Sequence, residues 1–506
     1  YDSRPFSYVL GRSAHLRIAL IRRHSPVCKT KLLHEVIRLR PKFEAQRKFE
    51  FPTSNLKLTR EYYAKYEAIS KILEKTPEIV DLAHHDLRRA LIASNRSRPG
   101  RVRFTTEHVL RLLLVQSREG LSLRQTVVRV DDSPALRQFV RLGPKPMMDF
   151  TTLDKFKNAV RPATWKKINT KLAHHAVGEQ KISGDRLRLD TTAVETNIHW
   201  PTDSSLLWDT YRVLARLIER ARDVDGNPVG SGRLQLRRAK REALTIARRA
   251  AQKGRKARSL KRPYRKLLRR VEGICTWATA VAYELVAGIE SQRYGVWAHA
   301  QAETLVEELA NFSELGGKVL DQARRRVLHG ESVPNDEKLF SLFEPHTELL
   351  KRGKAGQDIE FGHMIQIQQV GEKFITAYEV YDQKPVEHTL LDPALAQHRQ
   401  LFGFEPSELA ADKGYYQSMD QLRELAKTID VVSIAKKGKR TPAESEREQD
   451  PLFRHAQAFR AGVEGTISFL KRMLRLARCF NKSWEHFVAT VGQTVFAHNL
   501  LILARL

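Results

Sequence analysis

An α/β fold, a mixed sheet flanked by helices, is predicted by three features of the 506-residue chain. RLRLD, residues 186 to 190, alternates apolar and polar positions with the period of a strand that buries one face. Residues 407 to 434 read as strand, helix, strand, and two long stretches, about 58 to 176 and 205 to 345, repeat apolar residues at helical spacing. The chain thus divides into an N-terminal extension, 1–56, with no assigned function; a helical domain, 57–178; a sheet domain built from 180–204 and 356–506; and a helical insertion, 205–345.

In the helical domain, Thr105 or Thr106 can cap FTTEHVLRLLLVQSREG, whose Val109, Leu112, Leu113 and Gln116 share a face and which Gly120 closes. A second helix starts at Ser122. Two helices joined by a glycine fit a helix-turn-helix or an ordinary helical hairpin equally well; the first would bring Arg124, Gln125 and Arg129 to DNA. In the sheet domain, DIEFGHMIQIQQV and KFITAYEVY flank Gly371-Glu372 as a hairpin. DPALAQHRQLF follows as a helix, then the short strand of PSELAADKGYY, a helix capped by Ser418 with Met419, Leu422, Leu425 and Ile429 on one face, and the strand DVVSIA. Two such strands joined by a helix run parallel, and Asp412 falls at the carboxyl end of the first, where open α/β sheets place ligands.

Lys and Arg number 88 against 58 Asp and Glu, a formal charge of +30, which favours a polyanionic partner: nucleic acid first, an anionic membrane second. Between Arg233 and Arg270 the insertion holds 17 Lys or Arg against one acid, Glu242. A one-signed run of that length suits phosphate contact better than a balanced solvated face, and it nominates Arg237, Arg238, Lys240 and Arg241. Trp277 and Trp297, just beyond, could stack on unpaired bases, although core packing is the commoner role for tryptophan. No run reaches the roughly 18 apolar residues of a membrane span, TVFAHNLLILARL being short and interrupted by polar residues. Cys28, Cys275 and Cys479 are too scattered for a disulfide framework or a zinc ribbon, so a reducing cytoplasm is expected. No GxxxxGK loop suggests a nucleotide.

Asp190 closes the RLRLD run, Asp412 ends a second strand, and Glu464 lies on the helix FRAGVEGTISFLKRML beside the apolar stripe Val463, Ile467, Leu470 and Leu474. Arg460, Glu464 and Lys471 fall within roughly 40° of one another around that helix, placing Glu464 at the rim of the core. Gly462 and Gly465 suggest that something packs closely against the helix. Three carboxylates without a thiol or imidazole cluster suit Mg2+ or Mn2+, and two such ions can serve an in-line phosphoryl displacement. Glu195, expected past the strand end, and Asp203 are poorer ligand candidates; His84-His85, His174-His175 and His199 lack zinc spacing.

LRLDTTAVETN, LAADKGYY and RAGVEGTISFLK together resemble the three acidic motifs of DDE transposases of bacterial insertion sequences. In the third, Arg460, Glu464 and Lys471 match the family's Tyr-x2-Arg-x3-Glu-x6-Lys signature, with Gln457 in place of the tyrosine. TNIHWPTDSSLLWDT resembles the ISNCY-like group, and DFTTLDKFK is similar to the end of the helical N-terminal domain of such enzymes. The insertion is unusual in following the first acid: 222 positions separate Asp190 from Asp412 and only 52 separate Asp412 from Glu464.

The resemblance implies a ribonuclease-H-like catalytic domain and a DNA-binding helical domain. It also implies metal-dependent cleavage and strand transfer at the element's ends. Asp190, Asp412 and Glu464 would be catalytic, holding two Mg2+ or Mn2+ ions, while Arg460 and Lys471, with Arg124 and the insertion's cations, would contact DNA. The implied partners are double-stranded terminal repeats and target DNA, the expected setting is the cytoplasmic nucleoid, and a homodimer would synapse two ends with no membrane involved. A transposase that binds without cutting and a nuclease of the same fold are the alternatives.

Overall fold

The computed structural model describes residues 42, 55–93, 104–226, 232–252, 259–351 and 358–506. Cys28, nearly all of the N-terminal extension and Lys253, Arg255, Lys256 and Arg258 of the basic run lie outside the described residues. The chain forms two compact units. Ile198–Leu349 is one; the other runs to Asn197 and resumes over Leu350–Leu506.

The helical region contains α1 (Lys57–Lys75), α2 (Pro77–Ala93), α3 (Thr106–Arg118), α4 (Leu123–Asp132), α5 (Pro134–Val140), α6 (Phe150–Ala159) and α7 (Pro162–Gly178). Thr105 caps α3 by accepting from the His108 N–H while its own N–H donates to His108 Nδ1; Ser122 and Gln125 build the same reciprocal cap for α4. Gly120 supplies the positive φ, 59°, that the turn between them requires. The helix, turn and helix expected here are present, with α3 buried from Thr106 to Ser117 and α4 burying only Thr126 and Val130. Arg124 is exposed and lies over the Phe150 ring at 4.4 Å, whereas the Gln125 side chain is taken up by its own cap.

Strand β1 (Arg186–Thr196) then leads into the insertion, α8 (Asp203–Asp225), α9 (Leu236–Ala250), α10 (Lys261–Glu290) and α11 (Val296–Ala323). These helices have their own core, including Leu207, Leu214, Ile218, Leu267, Val271, Leu285, Leu309 and Val319. On α9 only Ala239, Ala243 and Ile246 are buried, so Arg237, Arg238, Lys240 and Arg241 face solvent. Trp277 is half-buried with the Arg222 guanidinium 5.2 Å from its ring centre, but Trp297 is 85% exposed and has no place in that core.

The remaining elements are β2 (Glu348–Lys351), β3 (Ile359–Val370), β4 (Ile375–Val380), α12 (Leu391–Phe402), β5 (Glu408–Ala411), α13 (Met419–Leu425), β6 (Val431–Ile434), α14 (Pro442–Gln449), α15 (Pro451–Arg472), β7 (Arg478–Cys479) and α16 (Trp484–Leu503). The sheet order is β2, β3, β1, β5, β6, with β4 also on β3 and β7 on the far end of β1. β1 pairs antiparallel with β3 and parallel with β5, which is parallel to β6. The sheet is therefore mixed and flanked by helices, and the hairpin and the strand–helix–strand unit stand where periodicity put them. α13 is shorter than its apolar stripe suggested, ending at Leu425; Ile429 is buried from the turn that follows.

One core joins α1–α7 to α16 and to Ile365, Ile367, Ile375 and Tyr378 of β3 and β4; another packs Leu187 and Leu189 of β1 against Leu391, Leu409, Leu422 and Ile434. α16 has the length and mean hydropathy, 1.2, of a membrane span, but 83% of that window is buried within this unit, as expected of a core helix. The apolar tail is longer than the sequence reading took it to be because α16 begins at Trp484.

Candidate active site

Strand β1 does not stop at Asp190. It continues to Thr196, because β3 pairs with it from Leu187 through Glu195 and β7 joins at Glu195 and Thr196. What ends near Asp190 is the parallel partner: the pairing of β1 with β5 finishes at Arg188 and Ala410, and Asp190 and Asp412 each lie two residues further on. The two acids are thus level, Asp190 within β1 and Asp412 one residue past the end of β5. Glu195, expected beyond the strand, is within it and accepts from Arg478 at 2.5 and 2.9 Å; Asp203 belongs to the other unit, where Arg326 and Gln322 hold it.

Asp412 caps the turn after β5, its Oδ1 accepting from the Gly414 N–H at 2.6 Å. Glu464 comes from α15, whose start is fixed by Asp450 accepting from the Leu452 and Phe453 N–H groups, with Pro451 at the first helical position. Asp190, Asp412, Glu464, Arg460 and Lys471 line one cavity of about 690 Å3, together with Thr191, Thr192, Lys351, Lys384, Glu387, Ser468 and Arg472. Arg124, Arg237, Arg238, Lys240 and Arg241 are not among its lining residues. Glu464 is 67% exposed, so it stands over the cavity rather than at the rim of the core. Arg460 lies between two of the acids, 3.6 Å from Asp190 Oδ2 and 3.5 Å from Glu464 Oε1, and its buried Nε has no hydrogen-bond partner among the described residues.

The electrostatics centre on Asp190. Burial pushes its carboxyl up to about 6; Arg460 and the Thr191 N–H, which donates to Oδ1 at 2.8 Å, pull down, while Asp412 and Glu464 push it up further. Among the described residues no three acidic, histidine or cysteine side chains form a ready-made metal cluster. The donor set nonetheless fits a hard cation: three carboxylates share one cavity, and Asp190 is held against ionisation by burial and by its two acidic neighbours, in spite of Arg460 beside it.

Two features below the cavity fix α15. Arg188, which alternation assigned to a polar face, is 3% exposed; its Nη1 donates to Phe459 O at 2.6 Å and its guanidinium also bonds Gln369. A Cβ on Gly462 would collide with Arg188 Nη1, which explains that glycine, whereas Gly465 has open space. Gly462→Ala should therefore cost about 1–3 kcal/mol in a urea titration, and Gly465→Ala should gain up to about 1 kcal/mol from helix propensity. Gln457, at the signature's tyrosine position, donates to Ser433 O at 2.8 Å and Ala411 O at 3.3 Å, tying α15 to the ends of β5 and β6.

With this geometry in place, one comparison is informative. A family model described as Transposase domain (DUF772) matches residues 61–159. The match spans α3 and α4, in the same compact unit as the three acids, and supports a transposase role. No curated protein and no solved structure matches the chain.

Sequence reasoning missed Lys351, Lys384, Arg472 and Glu387. The three cations carry no spacing signal; only folding brings β2 and the segment before Glu387 to α15. QKPVEHTLL, which supplies Lys384 and Glu387, matches no motif.

Proposed function

We propose that the chain is a DDE transposase with a ribonuclease-H-like catalytic core, which cuts DNA at the ends of an insertion sequence and joins the freed 3′ hydroxyl to target DNA. The observation that carries this reading is the level placement of Asp190, on β1, and Asp412, one residue past the adjacent parallel strand β5, opening with Glu464, Arg460 and Lys471 onto one cavity. The transposase-domain match and the mixed sheet support it.

Asp190, Asp412 and Glu464 would hold Mg2+ or Mn2+, two ions being expected, which would supply charge neutralisation at the phosphate and activation of the attacking oxygen. Arg460 and Lys471 position the scissile backbone, as fixed cations do wherever catalysis rests on placement and electrostatics. Water attacks in cleavage and the DNA 3′ hydroxyl in joining, so no side chain forms a covalent intermediate. Incubating the protein with supercoiled plasmid carrying the DNA that flanks its gene, with and without Mg2+, tests the assignment: nicks confined to the flank boundaries and dependent on Mg2+ are expected. Nicking that ignores sequence would make it a nuclease. Binding without any nicking would favour the rival reading, a DNA-binding protein that does not cut, which fits the placement of the Arg460 guanidinium between Asp190 and Glu464.

The partners proposed are double-stranded terminal repeats and target DNA, engaged by a homodimer at the nucleoid. The exposed cations of α9 supply backbone contact. Removing Arg237, Arg238, Lys240 and Arg241 together should weaken binding on all sequences and reduce the slope of log K against log salt by up to about 3.6, since each phosphate contact contributes about 0.9. An unchanged slope in fluorescence anisotropy would remove α9 from the DNA-binding surface.

A further inference from the structure

Glu387 is a fourth carboxylate at the cavity, supplied by the short 3-10 turn Glu387–Leu390 that precedes α12. Its Oε1 accepts from the Thr191 hydroxyl at 2.8 Å. Its Oε2 is packed so tightly on the turn after β5 that a Cβ on Gly414 would collide with it. Each residue it touches is in turn bonded to one of the two aspartates: the Thr191 N–H donates to Asp190 and the Gly414 N–H to Asp412. One side chain therefore joins β1 to the turn that follows β5, just beyond the last paired residues, Arg188 and Ala410.

We propose that Glu387 is a positioning residue that clamps the turn carrying Asp412 against β1 and so sets the separation of Asp190 and Asp412. It acts through Thr191 and Gly414. The inference rests on the transposase reading only for its consequence, metal affinity, and not for the clamp itself. A carboxylate suits the task because one oxygen accepts the hydroxyl hydrogen bond while the other fills the space above a glycine; glutamine keeps the same shape and acceptor, and alanine keeps neither.

The full-length protein tests this by two measurements. Without metal, hydrogen exchange over residues 412–416 should quicken at least tenfold in Glu387→Ala and in Thr191→Val, which removes only the donor, and should stay within threefold of wild type in Glu387→Gln; unchanged exchange in both Glu387→Ala and Thr191→Val overturns the clamp. With Mn2+ alone as the probe, binding followed by electron paramagnetic resonance should weaken at least tenfold in Glu387→Ala and at most threefold in Glu387→Gln. Glutamine failing as badly as alanine overturns positioning in favour of direct ligation, and alanine binding like wild type overturns any role. A wild type that binds no Mn2+ overturns the metal reading instead, and the exchange measurement still decides the clamp.

Discussion

Replacing Asp412 by Ala is expected to abolish Mg2+-dependent nicking at the flank boundaries, by at least about a thousandfold, with DNA binding kept within a few-fold of wild type. The split follows from where the residue sits. Asp412 is the cap of a short turn at the cavity, so its loss costs one local hydrogen bond, about 1 kcal/mol of stability, and leaves the exposed cations of α9 untouched. On the proposed reading catalysis would respond differently, because a hard cation held by three carboxylates would lose both affinity and position when one is removed, and the phosphate it would neutralise would keep its charge. The same outcome is expected of Asp190→Ala and Glu464→Ala in the plasmid assay. Robust cleavage by Asp412→Ala would reject the three-acid site.

Asp190→Asn is expected to do two opposite things: end cleavage, and stabilise the metal-free protein above about pH 6. Its carboxyl titrates near 6 in the folded chain against an ordinary value of 3.8, so the folded state binds the proton more tightly than the unfolded one. Between those values folding takes up a proton; stability falls as pH rises through the window, and the full penalty stands above it. A difference of about two units corresponds to about 3 kcal/mol, an upper value because the neighbouring charges relax. Asparagine keeps the acceptor for the Thr191 N–H and carries no charge, so thermal melting of Asp190→Asn should exceed wild type by several degrees at pH 7.5 and converge with it below about pH 4. Mg2+ should raise the melting temperature of wild type and leave the variant unmoved. A variant that melts below wild type at pH 7.5 would show that the carboxylate is not held at a cost. Such a cost is what a site built for a positive ligand carries when the ligand is absent.

Much of the fold of the unit that carries the three acids was legible because its signals are local. Thr105, Ser122 and Ser418 mark helix starts through hydrogen bonds that span three residues, and the 3.6 and 2.0 periods separate α15 from β3 without knowledge of their partners. The acids could be ranked for the same reason: an Asp after a short apolar strand, and a Glu spaced between Arg and Lys on a helix, are readable within a dozen residues. What failed was whatever depended on a distant partner. Arg188 alternates like a solvent-facing strand residue, yet α15, more than 260 residues away in sequence, covers it. β1 outran its apparent end because β3 and β7 continue to pair with it, and Glu464 proved exposed because, among the described residues, no element covers its side of α15.

The sequence by itself determined the element types, their order, the charge of the insertion and the identity of the three acids, since each follows from interactions within one turn or one strand. Only the tertiary structure decided that Asp190 and Asp412 are level, that Arg460 lies between Asp190 and Glu464, that Arg188 occupies the space Gly462 leaves, and that Glu387 reaches both strands. Those relations depend on strand register and on helix-to-sheet packing between segments far apart in the chain, and no local pattern of residues encodes them.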